Sequence, residues 1–312
     1  MSFVSGLPII MFSIIIPTKD RIEDLKNCIG SIRNQTVWPC EVIVVDASSD
    51  KASGENQKNC RYILGDKIKL VYKRSASGVN MQRNTGADNA KSDIIFFLDD
   101  DVVLKEDYCE KVLEIYSIKK GSNTGGVQGT ISNYFNQTWL NRTFRRLFFM
   151  TRASKNEKSR FLPSFGYVYI LMPKEIIEVE AMSAGFCSYY RYVFNEFRFD
   201  ETFDRCTDLE INYRISRKYR MYQTPYALLI HNHSKATHLD DRHLNKRIFI
   251  NIHKLVQKHL PHRLSNRLAY YWSIVGEVIL NTTKSCIHLD SGPILGTLDG
   301  IKYIFTKNMQ IS

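Results

Sequence analysis

The sequence predicts an α/β fold: a mainly parallel sheet flanked by helices, followed by a C-terminal helical extension. Three observations predict it. Short β-branched and aromatic runs recur through the first hundred residues, apolar at every position, as strands buried on both faces are. Segments of helical apolar spacing separate them, the pattern of a sheet wound with crossover helices. The composition, 44% hydrophobic and 24% charged over 312 residues, suits one large folded domain or two small ones.

The first strand is Phe12-Ser13-Ile14-Ile15-Ile16, ended by Pro17. Ile22, Leu25, Ile29 and Ile32 follow at helical spacing, and Asp20 with Glu23 three residues on predicts a capping box at that helix start. Glu41-Val42-Ile43-Val44-Val45 is the second strand, ending in Asp46 and a polar loop over 47–50. Ile68–Tyr72 reads as the third strand, 79–90 as a helix, and Ile94–Leu98 as the fourth strand. Right-handed crossovers bring such strand ends to one edge, where open α/β sheets bind ligands. The residues to watch are therefore Pro17, Thr18, Arg21, Asp46 and the run Asp99-Asp100-Asp101.

Two nucleotide signatures are missing. No Gly-x-Gly-x-x-Gly follows the first strand, which argues against dinucleotide binding. Gly121 to Gly126 has P-loop spacing, but Val127 and Gln128 occupy the Lys and Ser/Thr positions. Three carboxylates at a buried strand end repel one another unless a cation or hydrogen-bond donors compensate them. Asp99–Asp101 thus reads either as a divalent metal–diphosphate site or as a solvated loop. Asp46 fits a nucleotide contact or an Asx-turn, and Arg83 a phosphate contact or a snorkelling side chain.

Thr207 and Glu210 match a capping box, so Glu210 reads first as a cap. Asp208, in the first helical turn, is either a base or a partner of the helix dipole. His231, His233, His238 and His243 match no standard zinc spacing, and the seven cysteines form no Cys-x-x-Cys pair. Residues 1–130 hold 17 basic and 17 acidic side chains, whereas 131–312 hold 26 and 15, so the second half carries the whole net charge of +11. An anionic partner is expected there. Phe144-Arg145-Arg146-Leu147-Phe148-Phe149 is its densest aromatic–basic patch, suited to stacking on sugar rings, to binding bases, to a membrane interface, or to an irregular aromatic core with an exposed basic rim. Beyond residue 262, Arg263, Arg267 and the Tyr270-Tyr271-Trp272 cluster open an apolar stretch too short to span a bilayer. It fits an interfacial helix or one packed on the domain. No secretory leader is read at the start, and a cytoplasmic location is expected.

Taken in order, Ile14–Arg21 (Ile-Ile-Ile-Pro-Thr-Lys-Asp-Arg), Val44-Val45-Asp46, Gln82–Gly86, Phe97–Asp101, Phe199-Asp200-Glu201, Thr207–Glu210 and His231 resemble family 2 glycosyltransferases of the GT-A fold, over about residues 11–235. The resemblance implies a Rossmann-like sheet and inverting transfer from a nucleotide diphosphate sugar, UDP-sugars favoured, to a glycan or lipid-linked acceptor. It implies that Thr18, Arg21 and Asp46 contact the nucleotide, with Pro17 and Asp100 among the substrate-binding residues. Asp99 would meet the ribose, and Arg83 would lie near the donor. Asp101 and His231 would hold Mn2+ or Mg2+, and Asp208 would be the base. Thr207 departs from the family's usual Glu-Asp pair. The expected organisation is an extension at 1–10, a nucleotide-sugar half at 11–130, an acceptor half at 131–235 and a helical region at 236–312, with peripheral membrane contact through 262–312. Nucleic acid is not an expected partner. A catalytically inactive glycan- or nucleotide-sugar-binding protein of the same fold is the alternative.

Overall fold

The computed structural model describes residues 10–133, 137–154, 157–232, 240–261 and 263–308. His233 and His238 and most of the expected N-terminal extension lie outside the described residues. In chain order the elements are β1 (Phe12–Thr18), α1 (Ile22–Arg33), β2 (Glu41–Asp46), α2 (Asp50–Leu64), β3 (Lys69–Arg74), α3 (Val79–Asn89), β4 (Ile94–Leu98), β5 (Val102–Leu104), α4 (Tyr108–Ile118) and β6 (Thr124–Ile131). Then come α5 (Trp139–Leu147), β7 (Arg152–Ser154), β8 (Arg160–Phe161), β9 (Tyr167–Ile170), β10 (Ile177–Val179), β11 (Phe186–Tyr190), α6 (Val193–Glu196), α7 (Thr207–Ser216) and β12 (Arg220–His231). Three helices end the chain: α8 (Asp241–His259), α9 (Leu264–His288) and α10 (Gly292–Asn308).

The described residues divide into two units. The first draws on Met1–Tyr134, Leu171–Glu201 and Thr207–Ser234, the second on Phe135–Ile170, Thr202–Cys206 and Lys235–Ser312. Residues 131–235, one half in the sequence reading, thus contribute to both. The first unit holds a nine-stranded sheet ordered β10-β12-β6-β11-β4-β1-β2-β3, with β5 paired to β12. From β4 to β3 the strands are parallel, with Ile15 beside both Ile43 and Phe97. β11 runs antiparallel between β4 and β6, while β12 lies parallel to β6.

Alternation along these strands feeds two cores. Ile14, Ile16, Val42, Val44, Phe96 and Leu98 pack with Leu25, Cys28, Ile29 and Ile32 of α1. Ile15, Ile43, Val45, Ile95 and Phe97 face the other way, into Tyr189, Phe194, Phe199, Ile211 and Ile215. Burial on both faces explains why every position of these strands is apolar. α3 closes tightly on β1: a Cβ at Gly86 would stand 2.2 Å from Ile15 Cγ2, so only glycine fits.

Two local expectations are corrected. α1 begins at Ile22 with no side-chain cap, because Asp20 adopts a left-handed φ of 54° outside the helix. Its carboxylate instead accepts from the Ser49 N–H at 3.1 Å, and its own N–H donates to Ser48 Oγ at 2.7 Å, tying the end of β1 to the end of β2. The polar loop read after Asp46 is short, and its last residue, Asp50, opens the fifteen-residue α2. The inward face of α2 carries Ser53, Asn56, Cys60 and Leu64, half of them polar, so no regular apolar period announces it.

The second unit contains a small sheet ordered β7-β9-β8, helix α5 and the helices α8–α10. Asp204 accepts from Arg247 Nε at 2.7 Å and Asn251 Nδ2 at 2.6 Å, fastening the 202–206 segment to α8. Among the described residues no helix is long and apolar enough to cross a membrane.

Candidate active site

The acidic run lies where β4 ends and the chain turns into β5. β5 pairs antiparallel with β12, His231 opposite Val102, and this register brings His231 beside Asp101. The imidazole Nε2 stands 3.1 Å from Asp101 Oδ1, and the Asn232 N–H donates to the Asp101 carbonyl at 2.9 Å. Asp99, Asp101 and His231 each offer one ligand atom, all within 4.8 Å of one another. Burial opposes protonation of His231, but the hydrogen bond and charge of Asp101 outweigh it and raise its pKa.

Asp100 is buried. Thr18 Oγ1 donates to one of its oxygens at 2.7 Å and Arg21 Nη1 to the other at 2.9 Å. Burial nevertheless pushes this carboxyl up to about 7, against the pull of Thr18 and Arg21. Arg21 also reaches Asp101 Oδ2 at 3.4 Å. Asp99 is the most open of the three, and Arg83 Nη2 donates to its Oδ1 at 2.8 Å. The Asp99 N–H donates to the carbonyl of Gly185 at 2.8 Å, where a Cβ would come within 2.4 Å of Asp99 Oδ2. Gly185 therefore lets β11 approach the acidic turn.

Asp46 is fully buried at the end of β2. Its oxygens accept from the Ser48 N–H at 2.7 Å, from Asn56 Nδ2 at 3.4 Å and from the Tyr72 hydroxyl. Burial works against its ionisation, yet these hydrogen bonds win and lower its pKa. Gln82 Nε2, on α3, donates to the carbonyls of Thr18 at 2.9 Å and Val45 at 2.7 Å, joining the ends of β1 and β2. Pro17 lies buried in β1 opposite Val45.

Asp208 occupies the first turn of α7, half-buried, and accepts from the Leu209 N–H at 3.0 Å. Burial raises its pKa, the Leu209 N–H and the Arg83 charge oppose that, and Asp99 adds to it. Thr207 Oγ1 stands 3.5 Å from Arg83 Nη1. Glu210 is buried and pairs with Arg214 one turn on, at 2.6 Å.

The structure thus links Thr18, Arg21, Asp100, Asp101 and His231 by hydrogen bonds and sets the Arg83–Asp99 pair beside them, with Asp208 close enough to feel Arg83 and Asp99. Sequence reasoning missed Ser48, Tyr72, Gln82 and Gly185. Only Gln82 had a signal, since it begins the Gln-Arg-Asn-Thr-Gly motif. Two carboxylates and an imidazole with ligand atoms all within 4.8 Å of one another form a donor set whose chemistry fits a divalent ion.

A mainly parallel α/β sheet whose strand ends bring together two carboxylates and a histidine, beside a half-buried first-turn aspartate, has the architecture of the GT-A class. The chain belongs to glycosyl transferase family 2, whose model matches residues 13–194. An uncharacterized glycosyltransferase of Haemophilus influenzae is 31% identical over 105 residues, 34% of each chain. The GalNAc(5)-diNAcBac-PP-undecaprenol beta-1,3-glucosyltransferase of Campylobacter jejuni is 33% identical over 92 residues, 28% of this chain and 29% of that one. The matched segment thus spans about a third of these relatives. Among solved structures, GalNAc-T7 with UDP, GalNAc and Mn2+ aligns with a TM-score of 0.63 at 13% identity, covering 96% of this chain and 57% of that chain.

Proposed function

We propose that the protein transfers a sugar from a nucleotide diphosphate sugar, a UDP-sugar favoured, to a hydroxyl of a glycan or lipid-linked acceptor, with inversion. The observation that carries this reading is the meeting of Asp99, Asp101 and His231 beside a first-turn Asp208 of raised pKa. The family membership supports it, as do the UDP and Mn2+ named for the GalNAc-T7 structure and the undecaprenol acceptor named for the Campylobacter relative.

In this reading Asp101 and His231 hold Mn2+ or Mg2+, with Asp99 near enough to share it or to meet the ribose. When bound, the ion neutralises charge developing on the departing diphosphate. Arg83 faces the donor with its guanidinium steadied by Asp99. Thr18 and Arg21, braced by Asp100, line the nucleotide side. Asp208 takes the proton of the attacking hydroxyl as it approaches the anomeric carbon from the face opposite the leaving group. Nucleotide release from UDP-, GDP- and dTDP-sugars, with Mn2+ or Mg2+ and with chelator, tests the assignment. Release from a UDP-sugar that chelator abolishes supports it. Tight nucleotide-sugar binding without turnover of any donor favours the inactive binding protein instead.

Asp46 serves here by fixing the wall of the nucleotide site. Asp46→Ala removes an acceptor shared by the Ser48 N–H, Asn56 Nδ2 and the Tyr72 hydroxyl. It is expected to cost about 1–3 kcal/mol of stability and to weaken nucleotide binding several-fold. Denaturant melts and nucleotide titration check both numbers. Because its folded pKa is lowered, this contribution is present above the unfolded pKa and is lost as pH falls through the folded one. Equal nucleotide affinity in mutant and parent would confine Asp46 to the loop.

Membrane docking on the cytoplasmic face belongs to the same proposal. Leu264, Leu268, Tyr271, Val275 and Ile279 repeat at three- and four-residue steps along α9, 73, 62, 46, 44 and 42% exposed. Exposed Arg263 and Arg267 flank the start of this stripe. An apolar stripe beside cations suits an anionic bilayer surface, each nearby cation adding about 1 kcal/mol. Full-length protein is expected to co-sediment with anionic vesicles at low salt and to be released by salt. Protein that stays in the supernatant at low salt removes the membrane from the scheme.

A further inference from the structure

The second unit contains a cleft that the glycosyl-transfer reading does not use. It has a volume of about 320 Å3 and is lined by Trp139, Arg142 and Arg146 of α5, by Arg152 and Ser154 of β7, and by Glu157. Arg152 is 4% exposed. Its Nε and Nη2 donate to the two oxygens of Glu157 at 3.2 and 2.7 Å, while its buried Nη1 has no hydrogen-bond partner among the described residues. The side chains of Arg142 and Arg146 make no ion pair or hydrogen bond among the described residues. Three guanidinium groups therefore face one carboxylate, which Arg152 already engages. Trp139, 68% exposed, stands at the same cleft.

A buried guanidinium nitrogen without an acceptor is costly, and an incoming anion relieves that cost. Arginine forks match the oxygens of a phosphate, giving charge-assisted bonds stronger than neutral ones. The flat indole face offers apolar surface for the C–H side of a sugar ring. The volume lies at the low end of small-ligand pockets, room for one phosphorylated sugar unit rather than a whole nucleotide sugar. We propose that this cleft is a binding site for a phosphorylated carbohydrate, its phosphate held by Arg142, Arg146 and Arg152 and its ring laid on Trp139. As a site for the phosphate-bearing part of an acceptor it rests on the glycosyl-transfer reading; as an anion site it stands without it.

Hydrogen exchange on the full chain tests the site, with Mg2+ and saturating UDP present so that the donor site is filled and phosphate entering it does not confuse the result. Glucose 1-phosphate at millimolar concentration is expected to protect residues 139–154, inorganic phosphate to do so more weakly, and glucose not at all. Arg142→Gln with Arg146→Gln, two surface changes that leave the Arg152–Glu157 pair intact, is expected to lower the apparent affinity about tenfold or more. Trp139→Ala is expected to erase the preference for glucose 1-phosphate over inorganic phosphate. Protection unchanged in the double variant, or produced by no soluble phosphate, overturns the proposal. So does protection by phosphatidylglycerol vesicles alone, which assigns the arginines to a lipid headgroup. Failure of UDP to bind, with 139–154 still protected by glucose 1-phosphate, tells against the donor reading and leaves this site standing.

Discussion

Asp208→Asn is expected to lower sugar transfer by about 10²–10⁴ while leaving donor binding nearly unchanged. The amide keeps the shape of the carboxylate and can still accept from the Leu209 N–H. What it loses is the ability to take a proton. The substitution should not weaken the fold. Burial raises the pKa of Asp208, so its ionised form is disfavoured in the folded protein. Any stability linked to this group is present below the unfolded pKa and is lost as pH rises through the folded one. Asparagine removes that penalty, and the melting temperature is expected to hold or rise. The same raised pKa gives the parent a pH profile. A base must be ionised, so transfer should fall as pH drops through the Asp208 pKa, which burial raises from its ordinary value. Donor titration, single-turnover transfer and a pH–rate profile together check this. Transfer near the parent rate in the asparagine variant makes Asp208 a partner of the helix dipole and nothing more.

The parts of this site differ in how far the sequence disclosed them, and the difference has physical causes. β1, β2 and β4 were legible because a strand covered on both faces must be apolar at every position, and the polar residue after it then marks the ligand edge. The acidic run declared itself for the same reason. α2 was silent because half of its inner face, Ser53 and Asn56, is spent on the surroundings of Asp46, leaving only Cys60 and Leu64 for the apolar core. Tyr72 looked like one more strand residue, yet its hydroxyl reaches Asp46 across the β2–β3 pair. Gly185 carried no signal at all, since its purpose depends on β11 lying beside β4, a pairing distant in sequence. His231 is the instructive case. Its spacing to any other ligand is meaningless along the chain. Only the resemblance picked it out, and only the β5–β12 register supplies the reason. Thr207 also gains a setting: its hydroxyl lies near Arg83, where the family's usual carboxylate would face a guanidinium that is already paired with Asp99.

Asp101→Ala is expected to abolish metal-dependent donor binding, with a loss of about 100-fold or more in nucleotide-sugar affinity measured with Mn2+. Asp101 joins the histidine and an arginine of the site through its carboxylate. It meets His231 Nε2 at 3.1 Å and Arg21 Nη1 at 3.4 Å, and its carbonyl holds the Asn232 N–H that fixes the end of β12. The alanine variant keeps that backbone bond, so β12 should stay in register while the carboxylate is lost. His231→Ala removes the other member of the pair and is expected to give a loss of the same kind. With both residues proposed to hold one ion, the double variant should bind donor little worse than either single one. That non-additivity separates a shared ion from two independent contacts with the nucleotide, for which the losses would add. Titrating parent and variants with UDP-sugar, in Mn2+ and again in chelator, decides between them. In chelator the parent should fall to the level of the variants. Metal-dependent affinity that survives Asp101→Ala removes Asp101 from the ligand set and leaves Asp99 with His231 as the residues to examine.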